Sequence, residues 1–308
     1  MTVMFIFREP KIIEIYKERA EDIEWRSLHG IADQAKPEMI EAFQKAVERT
    51  KADMNLTELE QAMLIANVEI ALNTIPWETF ISELASIGII YKTIFDRAGN
   101  KSIDYLPDDI ELKASFNTLN PKSLDYIKDH TGELIVEITE QTQLAVRAII
   151  NDAFIEGLHP YQSAREIKKI VGLTERQAKA VNNLRKSLII QKLSDKVIEQ
   201  RTKAYARRLL IYRSNNIART ETINAANRGQ QALWEQTEEQ GLINRATARR
   251  KWITTPDDRL CQWCKSLDGK IVGLGEEFGT PIISGINYTA LTPTLHPSCR
   301  CALGLVFI

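Results

Sequence analysis

His-Pro-Ser-Cys-Arg-Cys, residues 296–301, puts three soft-metal donors into six positions: His296, Cys299 and Cys301. The chain has only four cysteines and four histidines in 308 residues. Its other two cysteines also stand together, in Cys-Gln-Trp-Cys at 261–264. Cysteine is often buried for packing alone, so four inert thiols are the plain alternative. Their arrangement in two close pairs argues against it. Cys261 and Cys264 have the two-residue gap of a zinc knuckle. His296 and Cys299 repeat that gap around Pro297, which favours a tight turn. The two knuckles, 31 residues apart, supply four ligands of the right type for tetrahedral Zn²⁺. Cys301 is a fifth candidate. On the expected terminal strand it shares a face with Cys299, so it can replace His296, and an all-cysteine site stays open. The matching gap favours His296 with Cys299.

A catalytic zinc keeps an open position beside an acid or base. The deaminase pattern His-x-Glu with Pro-Cys-x-x-Cys is absent, and so is His-Glu-x-x-His. Three or four thiolates favour a closed, structural site. Asp257 and Asp258 would be the carboxylates of a nuclease alternative, although "TPDDR" (255–259) reads more simply as a turn. Redox work by Cys-x-x-Cys lacks a surrounding βαβ pattern. The expectation is therefore no enzyme and a structural zinc.

Outward from this cluster, the sequence predicts a small antiparallel sheet after Gly241. "RRKWITT" (249–255) alternates as a strand, with Trp252 and Thr254 on one side. Asp268-Gly269 signals a hairpin turn, and "CALGLVFI" (301–308) is an apolar strand. So small a sheet buries little apolar area and needs a staple. Everything before it reads as helix. In "PEMIEAFQKAVERTK" (37–51), Pro37 opens a helix. "NLTELEQAMLIANVEIALNTI" (55–75) is a second, capped by Asn55 or Thr57 and ended by Pro76. "WETFISELASIGIIYKTIFDRAG" (77–99) stops at Gly99 and Asn100. Residues 100–133 look loop-rich. Helix resumes at 133 and is ended by Gly157. A short helix follows "HP" at 159–160, another is capped by Thr174, and residues 195–241 form two helices around Ser214. The fold class is thus mainly α, with a zinc-clipped α+β region at the end. The expected division is an acidic helical domain at 1–132, a basic helical middle at 133–215 and a stapled α+β domain at 216–308.

Charge is uneven. Residues 1–159 carry 16 Lys and Arg against 28 Asp and Glu, and residues 160–260 carry 21 against 10. The basic part could meet nucleic acid or an acidic protein, including as a DNA-binding regulator, although no helix-turn-helix pattern supports that. The plain alternative is two solvated faces. The apolar run Val3–Phe7 is too short for a signal-peptide core or a membrane span, so a cytosolic origin without a membrane partner is expected.

On a helical wheel, Thr220, Asn224, Asn227 and Gln231 form one polar stripe, flanked by Glu221 and Arg228. Thr220, Glu221, Asn224, Asn227 and Arg228 are candidate partner contacts; the alternative is a solvated helix face.

Together, "IARTETINAANRGQ" (217–230), "KWITTPDDRLCQWCKSLDG" (251–269) and "HPSCRCAL" (296–303) resemble the Mu F-like phage minor head, or head morphogenesis, protein family. The matching motifs are Ala218–Glu221, Trp252–Cys264, Leu267–Gly269 and His296–Cys301, and they span residues 216 to 308. The resemblance implies a low-copy virion component, assembled in the host cytoplasm and associated with the portal vertex of the head. The partners it implies are the portal protein, the major capsid or scaffolding protein, and packaged DNA. A metal-dependent nuclease used at genome packaging or entry is the alternative.

Overall fold

A computed structural model describes residues 20–255 and 260–308. Eleven helices and five short strands are present among them. The expected character holds: a helical body, then a small antiparallel sheet.

Helix α1 (Ala20–Asp53) runs straight through Pro37, which therefore does not open it. A proline inside a helix frees the carbonyl four residues back. Here Pro37 and Asp33 are both exposed, so water can satisfy that carbonyl, while Ala32, Ala35 and Met39 bury the opposite face. The second expected helix divides into α2 (Leu56–Leu64) and α3 (Val68–Asn73). Asn55 caps the first as foreseen. Asn67, an equally good cap, starts the second after Ala66 turns left-handed at φ 54°. Helix α4 (Trp77–Leu84) leads into α5 (Ser86–Lys101), which continues past Gly99. Gly99 is there for packing: a Cβ would lie 2.4 Å from the Phe116 ring.

A single 3-10 turn and α6 (Asp108–Glu111) connect to α7 (Pro121–Glu156). Helix α7 begins twelve positions before the expected start at 133. Asn120 caps it by accepting from Lys122 and Ser123 N–H, and Pro121 fits its first turn. Gly157 ends it in the left-handed conformation, as predicted. Helices α8 (Pro160–Ile170) and α9 (Glu175–Ile190) also match; Thr174 and Gln177 form a reciprocal capping box. The chain then forms α10 (Asp195–Glu239), a single 45-residue helix. It does not break at Ser214, whose hydroxyl is buried and donates back to the Ile211 carbonyl.

Helix α10 is the spine. Its middle packs against α1 and α5 around Phe43, Tyr91, Phe95 and Ala225. Arg213 is buried and donates to the carbonyls of Gly172 and Ile138, to Thr142 Oγ1 and to Gln141 Oε1. It thereby ties α10 to α7 and to the α8–α9 turn. Burial pushes its pKa down to about 10, so it remains charged at neutral pH.

Gly229 makes the closest helix contact: a Cβ there would sit 2.1 Å from the Phe95 carbonyl oxygen of α5. Backbone cannot rotate aside as a side chain can, so α10 and α5 would have to separate. Gly229→Ala is expected to cost at least about 3 kcal/mol, the upper end for overpacking, despite alanine's better helix propensity. A chemical-denaturation midpoint shift of the full chain measures it.

The C-terminal sheet has the order β2 (Ile271–Gly273), β1 (Ala248–Ile253), β5 (Ala302–Phe307), all antiparallel. In β1 the even positions Ala248, Arg250 and Trp252 point inward. Trp252 meets Phe278 edge-on at 5.0 Å, over Leu233 and Trp234 of α10. Strands β3 (Phe278–Gly279) and β4 (Thr289–Ala290) form a separate short pair. Asp268-Gly269 is not a two-residue hairpin. Helix α11 (Gln262–Leu267) lies between β1 and β2, and the dipeptide turns the chain out of that helix. Asp268 is pinned there by Thr254, whose hydroxyl and N–H both donate to its Oδ1.

Candidate metal centre

The two halves of the cluster are built as matching turns. Cys261 precedes α11, and its sulfur accepts from the Cys264 N–H at 3.3 Å. In the second turn the Cys299 N–H donates to the His296 carbonyl at 3.1 Å, with Ser298 at φ 62°. The turns face each other. Cys261 Sγ is 3.0 Å and Cys264 Sγ 3.3 Å from His296 Nε2, and Cys264 Sγ is 3.7 Å from Cys299 Sγ. Donor atoms of Cys261, Cys264 and His296 lie within 4.8 Å of one another, and so do those of Cys264, Cys299 and Cys301. Cys264 belongs to both groups. All five sequence candidates are therefore brought together. Cys299 and Cys301 do this from the turn before β5 rather than from the strand face expected for them, because the strand begins only at Ala302.

Three observations favour a metal ion here. Ligands of a tetrahedral zinc with normal bond lengths are separated by roughly 3.5–3.8 Å; the Cys264–Cys299 pair at 3.7 Å falls in that range, and the two sulfur–nitrogen pairs at 3.0 and 3.3 Å are closer than it. His296 Nδ1 lies 2.9 Å from the Pro297 carbonyl. A carbonyl only accepts, so the proton is on Nδ1 and the Nε2 lone pair is aimed at the two sulfurs, as a ligating histidine requires. Trp252 Nε1 is buried without a conventional partner among the described residues. Its N–H bears on Cys301 and favours the thiolate there.

The thiols are packed tightly enough to share protons. Hydrogen bonds from Cys264 and then Cys301 hold the Cys299 pKa well below the ordinary thiol range. Donation to Cys299 and then to Cys301, with burial, pushes Cys264 well up. At Cys301, a hydrogen bond from Cys264 favours the thiolate, but donation to Cys299 and burial outweigh it and raise the pKa. Replacing shared protons by a divalent cation is the chemistry such a cluster does best.

One backbone carbonyl of the centre gathers three donors. Arg300 O accepts from Trp25 Nε1 at 3.1 Å, from His29 Nε2 at 3.0 Å and from Thr255 Oγ1 at 2.9 Å. Burial pushes the His29 pKa down, so the ring is neutral and carries its proton on Nε2 toward that carbonyl. Sequence reasoning did not find Trp25 and His29. They are one helical turn apart on α1, which is a helix-face pattern, but nothing local links them to residue 300.

The polar stripe of α10 reaches the centre from the other side. Thr220 Oγ1 accepts from the Ser298 N–H at 2.9 Å. Asn227 is buried; its amide donates to the Cys301 carbonyl, and its oxygen accepts from the Leu303 N–H at 3.1 Å. Gln231 donates to the Leu274 carbonyl at 2.9 Å. Asn224 accepts from the Tyr91 hydroxyl, Glu221 pairs with His130 at 2.8 Å, and Arg228 stacks over Tyr126. All five partner-contact candidates thus have partners within the chain. Asp257 and Asp258 lie outside the described residues, as does the Val3–Phe7 run. Among the described residues no helix is long and apolar enough to cross a membrane.

Residues 189–304 match the family described as Phage Mu protein F like protein. That segment of the chain is similar to the Mu F-like family. The matched segment contains the whole of α10, β1 to β4, the first half of β5 and all five candidate ligands, so the similarity falls on the region of the candidate metal centre. It agrees with the resemblance carried by the motifs. No curated protein and no solved structure matches the chain.

Proposed function

We propose that the chain is a structural phage head morphogenesis protein, present in few copies near the portal vertex, and not an enzyme. The observation that carries this is the Mu F-like match over the segment containing the metal centre. In this reading Cys261, Cys264, His296 and Cys299 hold a structural Zn²⁺, and Cys301 packs beside it under Trp252. A closed four-ligand zinc supplies cross-linking and folding energy, not a reacting water. The interior use of the α10 stripe supports the same reading. Glu221, the acid a nuclease would need there, is buried and paired with His130. The outward faces of the helical body are what remains for the portal protein and the major capsid or scaffolding protein.

Quantitative mass spectrometry of purified particles, against the infected-cell lysate, tests this. A fixed low copy number per particle is expected. Abundance in the lysate with absence from particles would overturn it.

A further inference from the structure

A basin of about 500 Å³ lies between α1, α8 and α10, far in the fold from the metal centre. Lys51 enters it from α1, Lys168 and Lys169 from α8, and Lys203 and Arg207 from α10. Its floor is apolar, made by Val47, Leu173 and Leu210. We propose that this basin is a phosphate-oxyanion site, taking either free phosphate or a phosphodiester of a nucleic-acid backbone.

The charges in the basin do not balance. Lys169 is satisfied by Glu166, Glu199 and Thr202. Lys51, Lys168, Lys203 and Arg207 have no ion pair among the described residues, and Glu48 is the one further carboxylate in the lining. Lys51 is the least comfortable of them. Its ammonium donates to the Lys169 carbonyl at 3.2 Å. Burial, against the attraction of Glu48 and with repulsion from Lys168 and Lys203, lowers its pKa to about 8. Cations from three separate helices aimed into one partly apolar basin suit oxyanion charge arriving from several directions. Free phosphate supplies it as four oxygens on one atom, and a nucleic-acid backbone supplies it as successive phosphodiesters, each with two non-bridging oxygens and one charge; a lone carboxylate does neither. The cationic face extends one step beyond the basin. Lys196 lies seven positions before Lys203 and eleven before Arg207 on α10, and all three are exposed. Such a track suits a backbone of repeated phosphates. The site is independent of the head-protein reading: it would bind its ligand in a chain that never entered a particle.

The test uses the full chain and two probes, inorganic phosphate by calorimetry and a short fluorescent DNA duplex by anisotropy. The double variant K168Q/K203Q removes two basin charges. The control K113Q/K128Q removes two exposed charges elsewhere. Thermal unfolding of both should match the parent. The basin variant should weaken phosphate binding on the order of tenfold or more while the control does not. If DNA binding falls with it and its salt slope drops by about two, the backbone is the source of the oxyanion. If phosphate binds but DNA does not, the site stands and free phosphate is its ligand. Binding of neither probe, or equal loss in the control, would overturn the proposal.

Discussion

A chain carrying Cys264→Ser is expected to lose its metal and, with it, the ordered structure of residues 243–308, while most of the helical body stays folded. Cys264 is the donor common to both halves of the cluster and is buried, so no other residue can take its place. A structural zinc contributes on the order of 10–16 kcal/mol of apparent folding free energy in small domains. That is as large as the whole stability of an ordinary domain, about 5–15 kcal/mol. The sheet cannot make good the loss, since β2 has three residues and β3 and β4 two each. The unfolding should spread in a specific direction. Trp25 and His29 would lose the Arg300 carbonyl, so the first turns of α1 should lose amide protection together with β1 and β5. Hydrogen exchange by mass spectrometry, with metal content on the same sample, measures both. Cys301→Ala is the matched comparison and should keep the metal. Equal loss in both variants would transfer the fourth position to Cys301.

Arg250→Met is the second large effect, and it needs no metal. Arg250 is 0% exposed in the middle of β1. Its guanidinium donates to the carbonyls of Gly273, Glu276 and Leu291 and to Gln231 Oε1. One side chain thereby gathers β2, the turn after it, the β4 end and α10. Methionine fits the space but offers no donor. Each acceptor left buried and unpaired costs about 1–3 kcal/mol, so four of them cost roughly 4 kcal/mol or more even if water reaches some. Burial holds the Arg250 pKa down to about 10. The group therefore stays protonated at neutral pH in folded and unfolded chains alike. Because the folded value is the lower one, any stability linked to it is present above the unfolded value and is lost as pH falls through the folded value of about 10, far above neutrality. The loss in Arg250→Met should accordingly be the same at pH 6 and pH 8 in a denaturant titration.

Both residues show what a sequence can and cannot disclose. The cysteine and histidine spacings disclosed the donor cluster because ligand chemistry demands short, regular gaps. The same gaps could not rank five donors, since Cys264 joins two overlapping groups that form only in three dimensions. Arg250 stands between two other cations, Arg249 and Lys251, with no sign in the residue type that it is the buried one. Its burial follows from the strand's alternation with Ala248 and Trp252, a pattern readable in principle, but the acceptors that satisfy it come from residues 231, 273, 276 and 291. The α10 stripe was legible as polar and continuous. Its use was not: Asn227 meets Cys301 and Leu303 across 74 or more positions. Helix ends were readable at the capping side chains of Asn55 and Thr174 and at the left-handed backbone of Gly157. Helix continuity through Pro37, Gly99 and Ser214 was not, because packing on both sides overrode the local signals.

The proposed centre is a closed structural metal clip within residues 189–304. X-ray absorption at the zinc edge, on full-length protein purified without added metal and with its zinc content quantified, tests that claim most directly. The account predicts one zinc per chain with three sulfurs at about 2.3 Å and one nitrogen at about 2.0 Å. A chain with no stoichiometric zinc, or a zinc with an oxygen in its inner sphere, would contradict it.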